Sequence, residues 1–197
     1  FSLKTLDDAY KMRTHLINSA AEYCHAKKSM QESLRTVVIC GAGPTGIEIA
    51  GEVKEYMDQM LKPVKSRVIL LERSGTALQQ FPNLRPRVLK KIKKNGIELR
   101  SNAYVKKISK DTVHLKDGTK ISASTIIWAG GVAPVPVASK PAIKLDRDKV
   151  VVENTLRTND SRVFAVGDIS LCIPKGHDRP LPALAQVASK QGEHAAK

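Results

Sequence analysis

Residues 37–52 read VVICGAGPTGIEIAGE, an apolar run that breaks into glycines and then resumes with helical spacing. Gly41, Gly43 and Gly46 form a GxGxxG pattern in which each glycine has its own task. Gly41 permits a tight turn out of a strand. Gly43 has no side chain, so a pyrophosphate approaches the backbone there. Gly46 lets a new helix pack close to the strand before it. Pro44 and Thr45 lie between them and count with them as candidate cofactor-binding residues. The free N–H groups and the positive dipole end of that helix then face phosphate oxygens. The chemistry is binding, that of a dinucleotide-binding turn. A lone GxGxxG is weak, but here it follows a strand, opens a helix and has an acidic residue downstream.

That acidic residue is Glu72, at the end of RVILLE (67–72) and 26 residues after Gly46. The usual spacing is roughly 20; segment 56–65, a longer helix and a loop around Pro63, accounts for the excess. A carboxylate there accepts both ribose hydroxyls of NADH and repels a 2′-phosphate. Arg73 follows at once and attracts such a phosphate. The balance favours NADH over NADPH. The alternative leaves Glu72 as a solvated strand end.

Two more glycine-terminated runs follow, TIIWAGG (125–131) and RVFAVGD (162–168). Small residues at strand ends (Ala129, Gly130, Gly131, Gly167) let a cofactor lie against backbone. Asp168 is expected at the carboxyl end of a buried strand, before a helix, where a carboxylate binds a flavin's ribityl hydroxyl. An ordinary strand-to-loop turn is the alternative.

The elements that must position these residues are legible in the periodicity. Residues 6–28 carry apolar residues at helical spacing and form an amphipathic helix. Residues 29–35 link it to a buried strand at 36–40. A helix at 47–61, a strand at 68–72, a basic helix at 85–95 closed by Gly96 and a strand at 97–100 follow. Residues 103–109, 112–115 and 121–123 form an antiparallel meander, with Asp117-Gly118 as the hairpin signal. A parallel strand at 125–128 comes next. After a proline-rich loop, 150–152 and 163–166 are expected as short strands, 174–182 as loop and 183–197 as helix. The fold class is α/β, with a Rossmann-like NAD-binding domain whose parallel sheet carries an antiparallel meander.

The chain has 197 residues, 42% of them hydrophobic, and a net charge of +14. It is long enough for a core. The charge suits an anionic nucleotide or an anionic membrane surface. With 4% aromatic residues and no basic-aromatic interleaving, no nucleic-acid partner is expected. Cys24, Cys40 and Cys172 lack CxxC or metal-ligand spacing and read as reduced intracellular thiols, so no metal site is expected. The five histidines show no paired spacing and read as surface or packing residues. No run of 18 apolar residues exists to span a membrane. The chain opens at Phe1 and closes within a helical pattern, as a piece of a longer protein does.

The order GAGPTGIEIAGE, LLE, KDGTKISASTIIWAGG, TNDSRVFAVGD resembles that of the pyridine-nucleotide-linked flavoproteins, over essentially the whole chain. The resemblance implies an FAD-binding domain interrupted by an NAD domain. Residues 1–35 are then the connecting helix from the FAD domain, 36–130 the NADH-binding domain and 131–197 the returning part of the FAD domain, which is only partly present. Within the family, FSLKTLDDA and LPALAQVASKQG look like type II NADH dehydrogenases, peripheral membrane NADH:quinone oxidoreductases that pump no protons. That likeness implies FAD and NADH as cofactors and a quinone as electron acceptor. It implies attachment to the bacterial cytoplasmic or mitochondrial inner membrane through regions outside this chain, and leaves room for a homodimer. It assigns Glu48 a place near the nicotinamide and flavin. It puts Ala185, Gln186 and Val187 at a helix start that meets flavin and quinone. Where the family pattern has a second Gln, this chain has Lys190, followed by Gln191, so Lys190 or Gln186 is left to meet the quinone. The plain alternatives are a dipole-stabilising Glu48 and a helix-capping Gln186.

Two other functions remain open. One is a sibling flavoenzyme that passes electrons to a disulfide, a ferredoxin or oxygen. The other is a nucleotide-binding module that turns nothing over without its missing segments.

Overall fold

The strand Thr36–Cys40 (β1) is buried at every position and alternates its side chains between two apolar layers. The computed structural model describes residues 1–131, 142–146 and 148–197. The expected proline-rich loop falls largely outside them. The chain divides into two units, Phe1–Gly131 and Val132–Lys197.

In the first unit, helix Leu6–Tyr23 (α1) is followed by a short helix Lys28–Leu34 (α2), β1, helix Pro44–Met60 (α3) and strand Arg67–Leu71 (β2). Helix Arg85–Lys94 (α4), strand Glu98–Arg100 (β3), the meander Val105–Ser109, Thr112–Leu115 and Lys120–Ser122 (β4, β5, β6) and strand Thr125–Trp128 (β7) complete it. The sheet order is β3-β2-β1-β7, all parallel. Val37, Ile39, Val68, Leu70 and Ile127 face Leu16, Ala20, Val53 and Met57 of the helices. Val38, Cys40, Ile69, Leu71 and Ile126 face Val113, Leu115 and Ile121 of the meander. Period-two alternation along each strand thus builds a three-layer stack with the sheet in the middle.

Local chemistry fixes the ends of these elements. Thr5 and Asp8 form a reciprocal capping box that starts α1. Gly96, at φ +68, ends α4 with its N–H on the Lys93 carbonyl and the Ile97 N–H on that of Ile92, a Schellman closure. Gly118 turns the β5–β6 hairpin at φ +89, and Thr119 N–H donates to Asp117 Oδ1. At the far end of α3, the buried Lys54 ammonium lies 2.9 Å from both Asp58 Oδ1 and the Ser66 carbonyl.

Two sequence expectations give way here. Residues 29–35 are not a simple link: α2 occupies most of them, with Leu34 buried and the Gln31 amide donating to the Tyr23 carbonyl. Residues 163–166 do not form a strand. In the second unit a hairpin of Leu145–Asp146 (β8) and Lys149–Val151 (β9) pairs in parallel with Ser170–Leu171 (β10). Phe164 makes only an isolated bridge to Arg157. The pairing stops there: Thr158 N–H donates to the Val163 carbonyl at 2.9 Å and Ala165 N–H to the Leu156 carbonyl at 3.1 Å, a single bridge that does not extend into a ladder, and Val163, Phe164 and Val166 stay exposed. The expected last helix is Ala185–Ala195 (α5).

Candidate functional site

The carboxyl edge of the parallel sheet gathers most of the predicted residues of the first unit. β1 delivers Gly41 at φ +112, where a β-carbon would lie 2.7 Å from the Ala129 carbonyl oxygen. A β-carbon on Gly46 would collide with the Gly41 carbonyl. The turn, the first coil of α3 and the end of β7 are therefore in backbone contact, as a close strand-to-helix crossing requires. Ala129 N–H donates to the Cys40 carbonyl at 2.8 Å and continues the β7 pairing into the glycine run. Gly130 lies against the Trp128 indole, and Gly131 sits at φ +115.

Gly43 differs from its neighbours: nothing lies within 4 Å of where its β-carbon would be. It is the N-cap of α3, in extended backbone, with Pro44 beginning the helix and no side chain capping the first N–H groups. Thr45 and Glu48 are exposed on the helix that follows. The site is an open backbone cradle at a helix N-terminus, and a pyrophosphate fits it.

Glu72 closes the cradle on the β2 side. Its Oε2 accepts the Ala42 N–H at 2.9 Å; its Oε1 accepts the Ser74 N–H at 2.8 Å and the Ser74 hydroxyl at 2.7 Å. Burial works to raise this carboxyl. The Ser74 and Ala42 donors, helped by the Arg73 charge, outweigh it and hold the group below its ordinary value. Glu72 is thus an ionised, oriented anion, not a solvated strand end. Arg73 is exposed beside it.

The second unit places Gly167 and Asp168 in a 3-10 turn, Gly167–Ile169, rather than at a strand end. Gly167, at φ +73, donates its N–H to Gln191 Oε1 at 2.6 Å. Ser170 Oγ lies 3.2 Å from the same oxygen. Gln191 is 6% exposed and ties α5 to this turn. Asp168 is exposed and open to a ligand hydroxyl, although the expected strand does not precede it.

α5 begins at Ala185 with no side-chain cap at its N-terminus, so Gln186 is not a capping residue. Gln186, Val187 and Lys190 line a pocket of about 530 Å³ with Gln191, Cys172 and His194. The Lys190 ammonium is 3.0 Å from Glu193 Oε2. Burial pushes the Cys172 thiol up, and the Cys40 thiol up to about 11, so both are protonated packing groups. Among the described residues no His, Cys, Asp and Glu cluster is arranged to hold a metal.

Sequence reasoning passed over Ser74, Ala42 and Gln191. The first two act through the Glu72 carboxylate. Gln191 follows Val187 by four residues, the spacing of one helix face, which is the signal that could have found it.

A family model described as pyridine nucleotide-disulphide oxidoreductase matches residues 1–192. A probable NADH dehydrogenase of Dictyostelium discoideum is 31% identical over 207 residues, covering 99% of this chain and 45% of that protein. A type II NADH:quinone oxidoreductase of Staphylococcus haemolyticus is 29% identical over 214 residues, covering 100% and 51%. The chain spans about half the length of the curated relatives it matches. Among solved structures, NDH2 from Plasmodium falciparum in complex with NADH has a TM-score of 0.72 at 22% identity, covering 89% of this chain and 40% of that one. A ferredoxin reductase from Rhodopseudomonas palustris also has a TM-score of 0.72, at 20% identity, covering 100% and 45%. These two likenesses are of fold. FAD and NADH are the coenzymes that the family matches imply.

Proposed function

The chain belongs to the pyridine nucleotide-disulphide oxidoreductase family, and from that premise we propose that it supplies the NADH-binding domain and part of the FAD-binding domain of a type II NADH:quinone oxidoreductase. The observation that carries the reading is the Glu72 carboxylate, ionised and bonded to Ala42 N–H at 2.9 Å, beside the open backbone of Gly43. In this reading residues 36–130 hold NADH, residues 131–197 contribute to the flavin site, and residues 1–35 connect them.

Bound FAD would supply the hydride acceptor and the route for electrons onward. The residues of this chain bind and orient. Gly43 and the α3 N-terminus receive the pyrophosphate. Glu72 accepts from the ribose, and its fixed charge opposes a 2′-phosphate. Glu48, exposed near the start of α3, meets the nicotinamide end. Asp168 accepts a ribityl hydroxyl from the turn that Gln191 holds. Gln186 and the stem of Lys190 border the pocket offered to a quinone ring, with the ammonium drawn to Glu193. No protein nucleophile or metal is needed for a hydride step.

Calorimetric titration with NADH, and separately with NADPH, tests the reading. Tighter NADH binding that Glu72→Ala weakens supports it; a folded chain that binds neither coenzyme refutes it. Fold does not separate this reading from a second, a sibling reductase serving a ferredoxin, since the two solved structures match it equally well. Rates with a soluble quinone and with a ferredoxin, measured on the full-length protein, separate the two.

A further inference from the structure

Glu72 presents fewer open acceptor positions than a bare carboxylate, and one neighbour decides which. An ionised carboxylate has about four lone-pair sites. Oε1 receives the Ser74 N–H at 2.8 Å and the Ser74 hydroxyl at 2.7 Å, while Oε2 receives the Ala42 N–H at 2.9 Å. Ser74 Oγ is also 2.9 Å from the Thr76 carbonyl. A hydroxyl has one proton, and the shorter contact to a charged acceptor takes it. Oε1 is thereby filled, and the remaining lone pair lies on Oε2, the oxygen bonded to the glycine turn, so Glu72 has room for one ribose hydroxyl rather than the two the sequence leads one to expect.

The segment that carries Ser74 is itself held. The Asn102 N–H donates to the Ser74 carbonyl at 2.9 Å, with Asn102 at φ +56. The Ala103 N–H donates to the Glu72 carbonyl at 2.8 Å, and the Leu78 N–H donates to the Ala42 carbonyl at 2.9 Å. The loop after β2 is pinned to the glycine turn at one end and to the turn after β3 at the other.

We propose that Ser74 is a positioning residue for coenzyme selection: by occupying Oε1 with both of its donors, it fixes Glu72 so that Oε2 alone meets the ribose, and it keeps the negative charge where a 2′-phosphate would lie. Arg73 stands beside this charge. With the Ser74 hydroxyl in place the carboxylate stays against the Ala42 N–H; without that hydroxyl Oε1 keeps only the backbone N–H of residue 74, and the carboxylate turns more readily toward the Arg73 guanidinium, which weakens its opposition to a phosphate. The inference rests on the NADH-binding reading above and refines how that site discriminates.

The test compares Ser74→Ala, Ser74→Thr and Glu72→Ala with the parent chain, reading the Kd for NADH and for NADPH of each. Ser74→Ala should weaken NADH by about tenfold, the loss of one hydrogen bond to a charged group. It should leave NADPH unchanged or tighter, so the ratio of the two constants narrows. Ser74→Thr keeps both donors and should retain the parent ratio. A structural role alone would weaken both coenzymes together and leave the ratio fixed, and that result overturns the proposal. So does a Ser74→Ala ratio equal to the parent's while Glu72→Ala shifts it, which leaves the NADH-binding reading standing. Should Ser74→Ala not fold, a Ser74→Thr chain that folds with an altered ratio likewise counts against it. If the folded parent binds neither coenzyme, the underlying reading fails and the refinement falls with it.

Discussion

Gly43 and Gly46 lie three residues apart and answer a methyl group in opposite ways. Around Gly43 the space is open, whereas at Gly46 the added carbon would strike the Gly41 carbonyl. Gly43→Ala should therefore unfold in urea within about 1 kcal/mol of the parent, since it changes only a weak N-cap. It should still lose about tenfold or more in NADH affinity, a methyl standing where the pyrophosphate approaches. Gly46→Ala should cost about 3 kcal/mol of stability, because backbone must move. Unchanged NADH binding in Gly43→Ala would mean that the coenzyme does not cross this residue. Glu72 gives a pH counterpart. Its folded carboxyl sits below the ordinary 4.5, burial opposing and the Ser74 and Ala42 donors prevailing. A depressed carboxyl adds stability that is present above the ordinary value and is lost as pH falls through the folded one. Urea unfolding of the parent and of Glu72→Gln should therefore differ most above pH 4.5 and converge below it. A constant difference down to pH 2 would show that the carboxylate's charge is not what holds the turn.

α3 is fastened at both ends by different chemistry: backbone contact at Gly46, and an ion pair at Lys54. Lys54 is 7% exposed, and Asp58 accepts from its ammonium and from the Ser66 N–H and hydroxyl. Burial pushes the Asp58 carboxyl up, but these donors bring it down to about 2. Held that low, it contributes about 2 kcal/mol at neutral pH. That share is intact above pH 3.8 and fades as pH falls toward 2. Asp58→Asn should cost about 3 kcal/mol at pH 7, because it also strands a buried ammonium. Adding Lys54→Met should recover part of the loss in the same urea titration; if it deepens the loss, the pair is not coupled as drawn. How well such elements read from sequence follows their physics. β1, the glycine turn and α3 were legible because burial and backbone approach leave a composition signature that needs no partner to interpret. α2 was not, since seven residues make under two turns and show no period. The apolar run at 163–166 reads as a strand because composition records hydrophobicity, not how far a ladder extends, and here it stops at one bridge. Gln191 and Ser74 escaped because each serves a group that tertiary folding brings to it. The sequence leaves Lys190 either to meet a quinone or to leave that contact to Gln186, and in the structure its ammonium lies 3.0 Å from Glu193 Oε2.

The two units are built on unequal cores. In the first, a parallel sheet is covered on both faces, with Val37, Val38, Ile39, Val68, Ile69 and Leu70 entirely shielded from solvent. In the second, the described core is Val150, Val152, Leu156, Ala165 and Cys172 under strands of two or three residues. Buried apolar area sets the free energy of opening, so the units should not resist opening equally. Amide exchange of the whole chain should be slowest in β1 and β2 and fast at Phe164 and Val166, which are exposed, while the buried Ala165 N–H is held by the Leu156 carbonyl at 3.1 Å. NADH bound at the glycine turn adds its own increment. At a hundred times its Kd it should stabilise whatever unfolds with the site by about 2.7 kcal/mol. The slowing should therefore appear at Val37, Ile39, Val68 and Leu70, the amides whose exchange needs the first unit to open. The same experiment locates the coenzyme without any turnover, which matters for a chain spanning about half of its curated relatives. Protection by NADH that rose in β9 and α5 but not in β1 would place the coenzyme on the second unit and overturn the assignment of the glycine turn. Protection in β1 and β2 that Glu72→Ala abolishes would place the ribose end of NADH at the carboxyl edge of this sheet, where the Ala42 N–H and the Ser74 donors already hold the charge that receives it.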